Sequence, residues 1–217
     1  MKDFKIVWSA RSECGPNRKK NEDTIFPPIS GSSKPPFKAA VCDGLGGHVN
    51  GDVASKIAAD TLLEEITDLN QIITEANKNI LKYQDKNPSS LGMGTTMTAI
   101  SIDSDALMKI GHVGDSRCYV LSDRNLIKVT EDQNVPGYQN VLKQALGSNE
   151  KLNIQEVDFQ LQIGDVVFLC SDGLYNEVGE EYIKKKMQDG ISADTFVGEV
   201  LLLNPKDNVS AIVINVV

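Results

Sequence analysis

Apolar and polar positions along the chain switch between two periods, and the switches mark its elements. Phe4 to Ala10, around Ile6, Val7 and Trp8, predicts a first strand. Gly15-Pro-Asn17 breaks it, and Asn21-Glu-Asp-Thr-Ile-Phe26 begins a second. Pro27 to Pro36 predicts a loop, because it carries four of the chain's eight prolines. Ala39 to Cys42 is an apolar run that stops at Asp43 and reads as the end of a buried strand. Val53, Ala54, Ile57, Ala58, Leu62, Glu65 and Ile66 then recur at three- and four-residue spacing, apolar apart from Glu65, predicting a helix to about Thr67. Ile72, Ile73, Ala76, Ile80, Leu81 and Tyr83 predict a second helix over 70–84, close enough to the first to pack antiparallel to it.

After Gly92-Met-Gly-Thr-Thr96 the period becomes two. Thr96 to Ile102, Leu107 to Val113, Cys118 to Leu121 and Leu126 to Val129 predict successive strands of an antiparallel meander. Gln144 to Ser148 ends a short irregular segment. Ile154 to Phe159 and Val166 to Cys170 predict two more strands, Glu177 to Gln188 and Ala193 to Leu203 two helices, and Val209 to Val217 a closing strand. This is an α+β order. A four-layer α-β-β-α sandwich, two antiparallel sheets flanked by helix pairs, would bury every apolar face.

With 217 residues the chain is expected to form one domain, 1–217, with no repeat and no linker. A net charge of −8 disfavours a nucleic-acid partner, since Arg18-Lys-Lys20 and Lys184-Lys-Lys186 are too short to build a basic face. No apolar run approaches a membrane span, and Met1 to Lys5 is followed by no signal-peptide core. Cys14, Cys42, Cys118 and Cys170 show no CxxC pair, and the last three fall in apolar strands as small core residues. A monomer in the reducing cytoplasm, away from membranes, is the expectation.

The chemistry lies in single acidic residues at strand ends. Asp23, Asp43-Gly44, Gly114-Asp115, Ser171-Asp172-Gly173 and Asp207-Asn208 each sit at the boundary of an apolar run. One such aspartate is an ordinary turn residue. Five brought to a common rim would repel one another unless cations joined them. Oxygen-only ligands point to Mg²⁺ or Mn²⁺, and with two histidines in the chain an HExxH zinc site is excluded. A dense carboxylate set suits two ions that share a bridging carboxylate and activate a water. Arg18 could present a planar fork to two phosphate oxygens.

These residues carry a resemblance. Arg18-x-x-Asn-Glu-Asp23, Val41-Cys-Asp-Gly-Leu-Gly-Gly-His48, Gly92-Met-Gly-Thr-Thr96, Gly111-His-Val-Gly-Asp-Ser-Arg117, Ala145-Leu-Gly147, Cys170-Ser-Asp-Gly-Leu174 and Asp207-Asn-Val209 appear in that order along the whole chain. Together they resemble the metal-dependent serine/threonine protein phosphatases of type 2C in their compact bacterial form. The resemblance implies hydrolysis of phosphoserine and phosphothreonine in proteins, against an opposing Ser/Thr kinase, by a water that two Mn²⁺ or Mg²⁺ ions activate. It implies that Asp43 bridges both ions, that the Gly44 carbonyl is a ligand, and that Asp172 and Asp207 ligate one ion. Glu22 and Asp23 would stand beside the metals, Arg18 would hold the phosphate, and Asp115 would help hold a weaker third ion.

Two departures from the family stand out. Leu45 occupies the position after Asp43-Gly44 where eukaryotic relatives often carry a histidine proposed as general acid. Only Gln133 to Gln144 remains where relatives place a longer helical flap subdomain, which puts selection of substrates by a flap in question. Three other classes compete. A non-catalytic regulator on the same fold would be expected to lose acidic ligands, and none is lost here. A metallonuclease or other phosphohydrolase is disfavoured by the charge, and a cysteine-dependent phosphatase because no Cys-x₅-Arg lies in a loop, Cys118 to Arg124 beginning inside a predicted strand.

Overall fold

A computed structural model describes residues 4–46, 49–148 and 150–217; Gly47 and His48 of the glycine-rich motif lie outside the described residues. Among the described residues thirteen strands and four α-helices are formed in the order β1 (Ile6–Glu13), β2 (Asp23–Phe26), β3 (Gly31–Ser33), β4 (Phe37–Asp43), α1 (Gly51–Asp60), α2 (Leu69–Lys86), β5 (Met97–Ile102), β6 (Leu107–Val113), β7 (Arg117–Ser122), β8 (Asn125–Lys128), β9 (Asn134–Val135), β10 (Tyr138–Leu142), β11 (Gln155–Gln160), β12 (Val166–Cys170), α3 (Asp172–Gln188), α4 (Ala193–Leu201) and β13 (Val209–Val216).

The strands make a six-stranded sheet, β3-β1-β13-β12-β7-β8, and a five-stranded sheet, β11-β6-β5-β4-β2, with β9 and β10 as a separate hairpin. All pairings are antiparallel. Three apolar layers hold the stack together. Ile6, Val41, Ile100, Val120, Leu169 and Ile212 interleave between the sheets. Ile72, Ile73, Ala76 and Ile80 of α2 pack with Met97 and Ala99 on the outer face of the five-stranded sheet. Phe196, Val197 and Val200 of α4 pack with Tyr119, Phe168 and Val213 on the other. The predicted four-layer α-β-β-α sandwich is therefore the observed fold. Each fully buried large apolar side chain contributes about 1.5–3 kcal/mol, so the three layers dominate stability. Among the described residues no helix is long and apolar enough to cross a membrane.

Several predicted elements are corrected. The four central strands are not one meander: β5 and β6 belong to the five-stranded sheet and β7 and β8 to the other. The chain crosses from sheet to sheet at Gly114-Asp-Ser116, which looks like any hairpin turn in sequence. The loop before Phe37 contains β3, held against β1 in part by the Trp8 indole N–H donating to the Ile29 carbonyl at 2.8 Å. The first helix ends at Asp60 rather than near Thr67, passing through a 3₁₀ turn over Thr61–Leu63. Lys38 draws the carbonyls of Glu64 and Ile66 to its ammonium, so these residues serve the turn towards α2 instead of a helical face. Asp68 then caps α2 by accepting from the Gln71 N–H at 2.9 Å, a contact worth about 1 kcal/mol.

α3 begins at Asp172, five residues before the predicted start, because Ser171 adopts the extended N-cap conformation directly after β12. Gly179, at φ 71° and ψ 169°, interrupts it. The first turn of α3 is thus delivered straight from a strand end, and it packs so closely on Asp207-Asn208 that a Cβ at Gly173 would lie 2.1 Å from the Asn208 carbonyl oxygen.

Two glycines with opposite surroundings test this packing. Gly173→Ala should destabilise the protein by about 1–3 kcal/mol, because the obstructing atoms are backbone. Gly198→Ala in α4, where the nearest atom is the flexible Arg11 guanidinium at 3.5 Å, should stabilise by about 0.5–1 kcal/mol. Guanidinium unfolding of both variants measures the difference, and equal midpoints would contradict it.

Candidate metal centre

The two sheets bring their strand ends together at one rim. Asp43 closes β4 and stands directly opposite Asp23, the first residue of β2, in the antiparallel register. Asp172 opens α3 at the end of β12, and Asp207 lies just before β13. Asp115 sits in the crossover between the sheets. Five residues separated by up to 184 positions thus become neighbours through pairing and crossover, not through local sequence.

Backbone and hydroxyl contacts fix this rim. The Asp43 N–H donates to Thr96 Oγ1 at 3.0 Å, while the Asp43 carbonyl accepts from the Thr96 N–H at 2.8 Å and from Thr95 Oγ1 at 2.9 Å. Ser210 donates to Asp23 Oδ2 at 2.6 Å, and Ser12 Oγ lies 2.7 Å from the same hydroxyl. Asn134 Nδ2 donates to Asp115 Oδ2 at 2.9 Å, and the Tyr175 hydroxyl to the Asp115 carbonyl at 3.0 Å. The Gly44 N–H donates to the Glu22 carbonyl at 3.1 Å, joining the glycine-rich turn to β2.

The acidic groups are poorly solvated and face one another. Burial first, then the charges of Asp23, Asp172, Asp115 and Asp207, push the Asp43 carboxyl well above the usual carboxylate range. Burial and the neighbouring Asp115 and Asp207 raise Asp172 to about 7, and burial raises Asp23 to about 6 against the hydrogen bonds from Ser210 and Ser171. Glu22 and Asp115 are raised as well, chiefly by burial. Groups with raised folded-state pKa values stabilise the fold at low pH and lose that contribution as the pH rises through those values. The rim is a set of close carboxyls whose ionised forms repel one another. Asp172 Oδ1 is buried with no hydrogen-bond partner.

This donor chemistry suits hard divalent cations, which take oxygen ligands and relieve the repulsion. Among the described residues no group of three or more His, Cys, Asp or Glu side chains is arranged to hold an ion unaided. Arg18 Nη2 donates to Asp207 Oδ2 at 2.5 Å and Arg18 Nε to the Lys206 carbonyl at 3.3 Å, so Asp207 and the expected phosphate-binding arginine hold each other. Glu22 stands at the margin, near Arg18, Lys20 and Asp52, and Lys20 pairs with Asp52.

A cavity of about 810 Å³ opens on this rim, lined by Arg18, Asp43, Asp115, Asp172 and Asp207 and by residues 141–145 of the β9–β10 hairpin and the segment after it. The hairpin replaces the irregular segment expected between Gln133 and Gln144. Val141, Lys143, Asn176 and Lys206 line the cavity and went unrecognised in sequence. Ser210 left a readable sign, a polar residue interrupting the apolar Val209–Val216 run. Lys143 and Lys206 left none, since a single surface lysine is uninformative.

Comparison with known proteins gives the family and the fold. A family profile described as Protein phosphatase 2C matches residues 16–199. The serine/threonine phosphatase stp of Listeria monocytogenes is 33% identical over 208 residues, covering 80% of this chain and 82% of its own. The serine/threonine protein phosphatase PstP of Mycobacterium tuberculosis is 31% identical over 98% of this chain, which spans 45% of that protein's length. The crystal structure of the M. tuberculosis phosphatase PstP/Ppp superposes with a TM-score of 0.86 at 27% identity, covering 97% of this chain and 98% of that one. The catalytic domain of PstP in complex with two manganese ions gives 0.86 at 29% identity, with 99% of both chains covered. The chain belongs to the protein phosphatase 2C family and is a serine/threonine protein phosphatase, acting on phosphoprotein substrates.

Proposed function

We propose that residues 1–217 form one catalytic domain in which Asp43 is shared between two Mn²⁺ or Mg²⁺ ions. The Gly44 carbonyl, Asp172 and Asp207 complete the protein ligands, with Glu22 and Asp23 beside them holding bound water. The observation that carries this reading is the half-buried Asp43 facing four other carboxylates, with Asp172 Oδ1 buried and left without a donor. Two bound cations supply a water acidified towards neutral pH and charge to offset the phosphate. The chain's own residues do the rest. Thr95 and Thr96 hold the Asp43 backbone on both sides, fixing the point from which its side chain lines the cavity. Ser210 orients Asp23, and Asn134 orients Asp115, which we place at a third, weaker cation.

Arg18 receives the phosphate. Gly46 makes room for it, since a Cβ there would lie 2.5 Å from Arg18 Nη1. Its partner Asp207 is then freed for the metal side, an exchange of one anion for another at a planar fork. Leu45 cannot protonate a leaving alkoxide, so the proton comes from a water or another group at the rim. Four unpaired cysteines support a reducing, cytoplasmic setting, and an opposing Ser/Thr kinase is the implied counterpart.

Metal dependence is tested on two variants. Turnover of a phosphothreonine peptide should vanish with chelator and in Asp43→Asn and Asp172→Asn. Mn²⁺ should raise the parental melting temperature, as any ligand of the folded state does, and raise it far less in Asp43→Asn. Full activity of Asp43→Asn would remove its bridging role.

Arg18→Ala should raise KM by the equivalent of about 1.5–3 kcal/mol, the worth of a charged hydrogen-bonded contact. Arg18→Lys should recover only part, because a point charge does not reproduce the fork. Unchanged KM in both variants would make Arg18 a structural partner of Asp207 alone.

A further inference from the structure

Behind the cavity lies a charged group that lines none of it. Arg117, the first residue of β7, follows the Gly114-Asp-Ser116 crossover and its side chain is 17% exposed. Its Nε donates to Asp132 Oδ1 at 3.0 Å and its Nη2 to Asp132 Oδ2 at 2.6 Å, a two-point ion pair. Nη1 donates to the Tyr119 hydroxyl at 3.0 Å. The guanidinium carbon sits 3.5 Å from the centre of the Tyr175 ring, within cation–π distance.

Each partner leads to the site. Tyr175 lies in the first turn of α3, the turn that presents Asp172, and its hydroxyl holds the Asp115 carbonyl. Asp132 directly precedes the hairpin. Gln133, the next residue, exchanges hydrogen bonds with Gly114: its N–H donates to the Gly114 carbonyl at 2.9 Å, and the Gly114 N–H donates to Gln133 Oε1 at 3.0 Å. Asn134, one further on, donates to the Asp115 carboxylate. Gln144 on the returning side donates to Gln133 Oε1 at 2.8 Å, and the Lys143 N–H to the Gln133 carbonyl at 2.8 Å. One guanidinium therefore ties the turn carrying Asp172 to the base of the wall that faces it, with Asp115 between them.

We propose that Arg117 is a positioning residue: through Asp132 and Tyr175 it locks the Asp115 crossover and the β9–β10 hairpin into one body. It touches none of the cavity. Its effect on turnover rests on the role given above to Asp115, and its effect on the hairpin does not. Lysine cannot replace it, because only a planar fork can grip both Asp132 oxygens while lying flat on the Tyr175 ring.

The test uses the Mn²⁺-saturated enzyme well below its melting temperature. Arg117→Ala should lower kcat on a phosphothreonine peptide on the order of tenfold, as misplaced active-site groups do, with KM little changed. Arg117→Lys should recover only part, and Tyr175→Phe, which removes the hydroxyl and leaves the ring, should give a smaller loss in an intact fold. The double variant Asp115→Ala/Arg117→Ala should be no slower than Asp115→Ala, since both act on one element. Amide exchange at Gln133 and Lys143 should accelerate in Arg117→Ala and be partly restored in Arg117→Lys. Losses that multiply in the double variant, or hairpin amides that exchange at the parental rate in Arg117→Ala, would overturn the proposal. If Asp115→Ala alone turns over at the parental rate, the reading of Asp115 falls, and the exchange rates still decide whether Arg117 locks the hairpin.

Discussion

The molecule is built around a repulsion. Asp23 and Asp43 face each other across two paired strands, and Asp172, Asp115 and Asp207 close on them from the second sheet and the crossover, with Asp23 and Asp115 buried and the other three half-buried. Like charges in such a place weaken the folded state, and they persist only where surrounding structure holds them. The three apolar layers provide that hold, with the inter-sheet layer running directly beneath the acidic rim. The catalytic domain of PstP, which superposes on this fold, holds two manganese ions, and cations bound at such a rim would relieve the repulsion.

Precision at the rim comes from neutral groups. Thr95, Thr96, Ser116 and Ser210 contribute hydroxyls that fix backbone and carboxylate without adding charge. Close backbone approach does the same work between elements, as where the first turn of α3 leans on Asp207-Asn208 with no room for a Cβ. Arg18 stands apart. It is a cation already at the rim, paired with Asp207, and it partly offsets the acidic charge while keeping a planar fork at the mouth of the cavity.

The β9–β10 hairpin shows how a short segment can form a wall. Its twelve-residue stretch, 133–144, has no helix and little buried surface, yet it lines the cavity opposite the carboxylates. Its stiffness is borrowed from its base, where Arg117, Asp132 and Gln133 meet the crossover. Wall and acidic rim are thereby parts of one hydrogen-bonded unit, so the space between them is set by contacts that never meet the substrate.

Much of this was legible in the chain alone. Period-two runs named nearly every strand, the α2 and α4 faces followed from three- and four-residue spacing, and the motif order identified the fold and the reaction. Those signals are local, and local periodicity reflects which face of an element is buried. Partnership between elements is different. That β6 and β7 part company at Gly114-Asp-Ser116 depends on which sheet each strand joins, and no turn sequence encodes that. The early end of α1 depends on Lys38 reaching Glu64 and Ile66 from a neighbouring strand. The start of α3 at Asp172 depends on Ser171 finding an N-cap conformation after β12, where sequence shows only a turn. The pairing of Arg18 with Asp207 and of Arg117 with Asp132 and Tyr175 joins residues 189, 15 and 58 positions apart. Sequence determined the order of elements and named the residues proposed to carry the chemistry, because composition and spacing are written along one dimension; only the tertiary structure decided which of them touch, because burial and charge act through space.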